Sequence, residues 1–127
     1  MLDLSSYKIL VVDDEPDMLE FICAVLEDNG AKVARAINGL DALEKARKEK
    51  PDLVLLDILM PKKDGFEVLE EAKADAKLKS MPIILLTNLS ETGDIKRARK
   101  LGADDYLIKS HFLPSEVVEV VKKYIEK

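Results

Sequence analysis

Leu53-Val54-Leu55-Leu56-Asp57 is a run of four apolar residues that ends on a carboxylate. Its length suits a strand, and its lack of polar alternation suits a strand covered on both faces, as in a parallel sheet. Working outward, comparable runs stand at Ile9–Val12, Ile83–Leu86 and Tyr106–Ile108, with a weaker one at Lys32–Ala36. The stretches between them are charged and have helical spacing. Pro16–Asn29 sets Leu19, Ile22, Cys23 and Leu26 on one face, with Pro16 suited to the first turn and Gly30 just beyond the end. Leu40–Lys50 repeats apolar residues at Leu43 and Ala46 before Pro51, and Phe66–Ala74 does so with Phe66, Leu69 and Ala72. A fourth helix is expected from Ser90 or Glu91 to Leu101, closed by Gly102; a fifth, Pro114–Ile125, aligns Val117, Val120, Val121 and Tyr124. Asp75–Ser80 has no such pattern and is expected to be an exposed loop.

Strict alternation of strand and helix predicts an α/β doubly wound (βα)5 domain. A parallel connection needs a crossover, and crossovers are nearly always right-handed. The flavodoxin-like strand order 2-1-3-4-5, with helices on both faces, is the matching five-stranded arrangement. At 127 residues the chain has room for one core, so residues 1–127 are expected to form one domain. Its composition, 47% apolar and 35% charged, can fill that core and still solvate the surface. A net charge of -5 without a clustered basic patch argues against direct nucleic-acid or anionic-membrane binding. Cys23 is the only cysteine, so no internal disulfide can form; it is expected to pack as a small apolar residue. No run is long enough to span a bilayer and Met1–Lys8 lacks a signal-like apolar segment, from which a cytoplasmic setting is expected.

Polar residues follow the apolar runs: Asp13 and Asp14 the first, Asp57 the third, Thr87 the fourth and Lys109 the fifth. In an open parallel sheet the ligand crevice lies at the carboxyl ends of the strands, where the strand order reverses. For the order 2-1-3-4-5 that point falls between the first and third strands, so the acidic pair and Asp57 should face one another. Three carboxylates brought together resist ionisation unless a cation neutralises them, and hard oxygen donors select Mg²⁺ or a similar ion such as Mn²⁺. Mg²⁺ takes few protein carboxylates and often shares phosphate oxygens. Lys109 and Thr87 offer a positive charge and a hydroxyl suited to a transferring phosphoryl group, which leaves Asp57 as the nucleophile.

Taken together, these residues resemble the receiver domains of bacterial two-component response regulators, in their chemotaxis-regulator-like form. Val11-Val12-Asp13-Asp14-Glu15-Pro16 matches the acidic-pair motif, and Asp57-Ile58-Leu59-Met60-Pro61 with Asp64-Gly65 matches the acceptor loop. Leu86-Thr87 and Tyr106-Leu107-Ile108-Lys109 complete the pattern, which covers nearly the whole chain. The resemblance implies that Asp57 accepts phosphate from the phosphohistidine of a sensor histidine kinase or phosphotransfer protein. It implies that Asp14, Asp57 and the backbone carbonyl of Leu59 bind Mg²⁺, with Asp13 acting through metal-bound water. Thr87 and Lys109 would contact phosphoryl oxygens. Thr87 and Tyr106 would couple the site to an output face made of the fourth helix, fifth strand and fifth helix, which meets an effector or output domain or a second copy. Such a protein is a switch and not an enzyme, beyond its own phosphoryl transfer and slow dephosphorylation.

Two departures from the family pattern stand out. Asn88 follows Thr87 where a small residue is usual, and Ser110 follows Lys109 where proline is common. A cis bond before Ser110 would cost about 3 kcal/mol, whereas proline would carry it readily. Taken singly, each motif also has an ordinary structural explanation: an acidic pair as a cap, Thr87 as a helix cap, Tyr106 as core and His111 as an exposed loop residue. Two rival functions share parts of the pattern. A haloacid-dehalogenase-like phosphatase would need a second aspartate two residues beyond its nucleophile, where this chain has Leu59. A flavin-binding flavodoxin-like domain would need a phosphate-cradling loop after the first strand, where this chain is acidic.

Overall fold

The computed structural model describes residues 4–88 and 92–125. In chain order the elements are β1 (Lys8–Val12), α1 (Pro16–Asp28), β2 (Lys32–Ala36), α2 (Gly39–Glu49), β3 (Leu53–Leu56), α3 (Gly65–Ala74), β4 (Ile83–Thr87), α4 (Thr92–Lys100), β5 (Asp105–Ile108) and α5 (Pro114–Ile125). A single 3₁₀ turn, Lys109–His111, follows β5. The five strands form one sheet in the order β2-β1-β3-β4-β5, and every pairing is parallel. The doubly wound arrangement read from the sequence is therefore the observed one. The expected start of the fourth helix at Ser90 or Glu91 lies outside the described residues.

The unbroken apolar runs have a simple cause. In β1 the side chains alternate between two cores: Leu10 and Val12 face one, Ile9 and Val11 the other. The first core is closed by Ala42, Leu43 and Ala46 of α2 and by Phe66, Leu69 and Ala72 of α3, the second by Leu19, Ile22, Cys23 and Leu26 of α1 with Val117, Val118 and Val121 of α5. Burying each leucine, valine or isoleucine contributes roughly 1.5–3 kcal/mol, so a strand covered on both faces cannot accept polar residues at alternate positions. β2 is an edge strand with Lys32 exposed and Arg35 half-buried, which is why its run reads weakly.

The structure corrects two expectations. Asp75–Ser80 is not wholly exposed: Leu78 is 4% accessible and anchors the segment in the first core. The backbone there is turned by Lys77 N–H donating to Asp75 Oδ1 at 2.8 Å and by Leu78 N–H donating to the Asp75 carbonyl at 3.0 Å. In α5, Val118 is buried while Val120 is only partly so, because α5 turns a slightly different stripe inward. Cys23 is buried as expected. No peptide bond among the described residues is cis, so Lys109–Ser110 is trans.

Candidate functional site

Register brings the strand ends together. Val12 of β1 pairs with Ala36 on one side and Leu56 on the other. One residue further, Asp13 N–H donates to the Ala36 carbonyl at 3.1 Å and Asp57 N–H to the Val12 carbonyl at 3.0 Å. Both aspartates are thus fixed by the ladder at the crevice where the strand order reverses. On the other side, Thr87 is the last residue of β4, paired with Ile108, and Lys109 opens the turn after β5.

Asp13, Asp57, Thr87 and Lys109 are the buried polar or charged residues among those described. Lys109 Nζ lies 2.6 Å from Asp13 Oδ2, 3.1 Å from Asp57 Oδ2 and 3.0 Å from Glu15 Oε1. Its ammonium therefore bridges three carboxylates, and Asp57 Oδ1 accepts a further bond from Ile58 N–H at 2.8 Å. Among the described residues no buried side-chain polar atom lacks a hydrogen-bond partner. Burial costs the charged forms heavily unless such partners are supplied. For Lys109 burial pulls the pKa down, but hydrogen bonds to Asp13 and Glu15 and the charges of Asp57 and Asp13 outweigh it and hold the group above the ordinary lysine range. Asp13 is also raised: burial lifts it above 3.8 despite the Lys109 contact, and neighbouring Asp57 adds to the rise.

Glu15 is the residue that motif reading passed over. It stands at the N-cap of α1 yet makes no side-chain cap bond, because its carboxylate reaches Lys109 instead. The only signal in the sequence was a third acidic residue after Asp13 and Asp14. Asp13, Asp14, Glu15 and Asp57 each offer a carboxylate oxygen, all within 4.8 Å of one another. This all-oxygen, partly exposed donor set fits a hard divalent cation such as Mg²⁺.

The loop after β3 runs from Ile58 to Asp64. Leu59 is 56% exposed, Met60 packs against the first core, and Asp64 forms a capping box with Glu67 at the start of α3. Tyr106 is half-buried beside that same core, and burial, with the charges of Asp94 and Asp57, pushes its hydroxyl up to about 12. Asn88 and His111 are exposed. The predicted residues are therefore not equivalent: Asp13, Asp57, Thr87 and Lys109 are buried, Asp14 sits at the rim, and Tyr106 lies on β5, next to β4 in the sheet.

The fold and this strand-end site define a doubly wound domain with an acidic crevice. Residues 9–122 match the response regulator receiver domain family, and the chain belongs to that family. It is 42% identical over 120 residues to the alkaline phosphatase synthesis transcriptional regulatory protein PhoP of Bacillus subtilis, covering 94% of this chain and 49% of PhoP. It is 40% identical over 102 residues to protein PilH of Pseudomonas aeruginosa, covering 80% of this chain and 84% of PilH. A putative response regulator from Chloroflexus aurantiacus superposes with a TM-score of 0.89 at 32% identity, over 95% of this chain and 98% of that one. The chain thus spans about half the length of PhoP and most of PilH. Family membership decides against the phosphatase and flavodoxin alternatives. No helix among the described residues is long and apolar enough to cross a membrane.

Proposed function

We propose that residues 1–127 act as one phosphorylation switch in which Asp57 is the acceptor, loaded from the phosphohistidine of a sensor histidine kinase or phosphotransfer protein in the cytoplasm. The observation that carries this is the burial of Asp57 beside Lys109 at the crevice, with an exposed acidic rim for a cation. An Asp57 carboxylate oxygen attacks phosphorus; the new P–O bond forms as the P–N bond breaks, and the imidazole nitrogen keeps the electron pair. Asp14, Asp57 and the Leu59 carbonyl would hold Mg²⁺ or Mn²⁺, with Asp13 acting through a bound water. When bound, the cation supplies charge neutralisation for the incoming phosphoryl oxygens. Lys109, already against Asp57, shifts by a short distance onto a phosphoryl oxygen, and Thr87 donates its hydroxyl to another.

The added negative charge then biases a two-state element. Thr87 moves toward the phosphoryl group, Tyr106 turns into the space released, and the face formed by α4, β5 and α5 changes its affinity for an effector, an output domain or a second copy. With Leu59 two residues beyond Asp57, no carboxylate stands there to activate water, so phosphoryl loss is slow. Mixing the chain with a phosphorylated histidine phosphotransfer protein and Mg²⁺ should move label onto the chain. Rapid steady-state release of phosphate from simple phosphate esters would contradict the proposal.

A further inference from the structure

Gly39, the first residue of α2, is helical and lies outside the left-handed region, so its backbone conformation does not call for glycine. Its surroundings do. A Cβ there would stand 2.1 Å from the Lys63 carbonyl oxygen, 2.7 Å from Lys63 Cβ and 2.8 Å from the Lys63 carbonyl carbon. Two of these atoms are backbone and cannot swing aside. The turn before α2 is held firmly by Asn38 Oδ1, which accepts from Asp41 N–H at 2.9 Å, and by the Asp13 N–H bond to the Ala36 carbonyl. The middle of the acceptor loop is held more lightly, by Lys63 N–H donating to the Pro61 carbonyl at 2.8 Å and by an ion pair between Lys63 and Glu71. At its ends the same loop meets the site: Gly65 N–H donates to the Ile58 carbonyl at 2.9 Å, and Ile58 N–H holds the Asp57 carboxylate.

We propose that Gly39 is a positioning residue for the acidic cation site: by leaving room for the Lys63 carbonyl it seats the 58–64 loop, and through Ile58 the loop aims the Asp57 carboxylate. Any side chain at position 39 moves the loop, because α2 is a capped helix packed on the core through Ala42, Leu43 and Ala46 and the loop is the softer partner. A displacement of about 1 Å near reacting groups can cost on the order of 100-fold, and partners that orient metal ligands are typically worth about 10- to 100-fold in affinity. The inference rests on the cation reading of the site and adds a residue outside the motif set.

The test compares Gly39→Ala with the unaltered chain for Mn²⁺ affinity by electron paramagnetic resonance and for metal-free amide spectra. Two controls accompany it: Gly93→Ala, where an added Cβ meets nothing within 4 Å, and Leu26→Ala, a core truncation in the opposite core. Gly39→Ala should bind Mn²⁺ about 10- to 100-fold more weakly and shift the amides of Ile58–Asp64 without metal. Gly93→Ala should bind normally, and Leu26→Ala should melt earlier yet bind normally. Unchanged binding and loop amides in Gly39→Ala overturn the inference while leaving the cation site intact, and so does an equal loss of affinity in Leu26→Ala. If the unaltered chain binds no Mn²⁺, the cation reading falls and the inference with it. Should Gly39→Ala not fold, Mg²⁺ titration of the unaltered chain decides: the Gly39 amide should shift with the same midpoint as Ile58, and a silent Gly39 overturns the inference.

Discussion

Replacing Lys109 by methionine keeps the apolar stem and removes the charge that neutralises the crevice. Asp13 and Asp57, whose side chains are each 4% exposed, then face one another with no counter-ion. Removing one partner of a buried pair costs about 3–5 kcal/mol, and the Glu15 contact adds little because that side chain is 59% exposed. The lower figure, about 3 kcal/mol, corresponds to a fall in Tm of roughly 10 °C for a domain of this size. A cation can replace the lost ammonium: at 100 times its Kd it returns about 2.7 kcal/mol. Because Mg²⁺ stabilises the unaltered chain too, urea and thermal unfolding with chelator, then with saturating Mg²⁺, should show a large deficit that narrows to the extent that the variant, freed of the competing ammonium, binds the ion more tightly. The pH dependence has a definite sign. Asp13 is raised above 3.8 in the folded state and loses the lowering influence of Lys109 in the variant. The folded state then binds the extra proton, and stability falls as pH rises from 3.8 through the raised folded value. The gap between the two proteins should therefore be small near pH 3.8 and grow toward neutrality. A deficit below about 1 kcal/mol in chelator, or one that ignores both Mg²⁺ and pH, would refute the electrostatic account of the crevice.

Three further outcomes are expected. Glu15→Gln should lower stability by less than about 1 kcal/mol in urea titration, since its bond to Lys109 is made at an exposed rim. Asp64→Ala breaks the capping box at the start of α3 and should cost about 1 kcal/mol, a drop of a few degrees in Tm by calorimetry. Burial pushes the Cys23 thiol up to about 11, so alkylation followed by mass spectrometry should be slow in the folded chain near neutral pH and rapid in urea.

Much of this was legible in the sequence because it depends on local pattern. Runs buried on both faces mark the strands, and the register of a parallel sheet then carries Asp13, Asp57, Thr87 and Lys109 to one edge. What pattern could not show was set by tertiary approach. Glu15 reaches Lys109 across 94 positions of sequence, and Leu78 is buried in a turn with no period of its own. Gly39 fell just outside the helix expected at Leu40–Lys50 and carried no signal, since the carbonyl that excludes a side chain there belongs to residue 63. The 3₁₀ turn that aims Lys109 inward likewise has no signature in Lys109-Ser110-His111.

The most direct test of the central claim is intact-mass spectrometry after incubation with a small phosphodonor and Mg²⁺. The expected result is a single added phosphoryl group on the unaltered chain, no labelling when chelator is present from the start, and none at all on Asp57→Asn. Equal labelling of Asp57→Asn would contradict the assignment of Asp57 as acceptor.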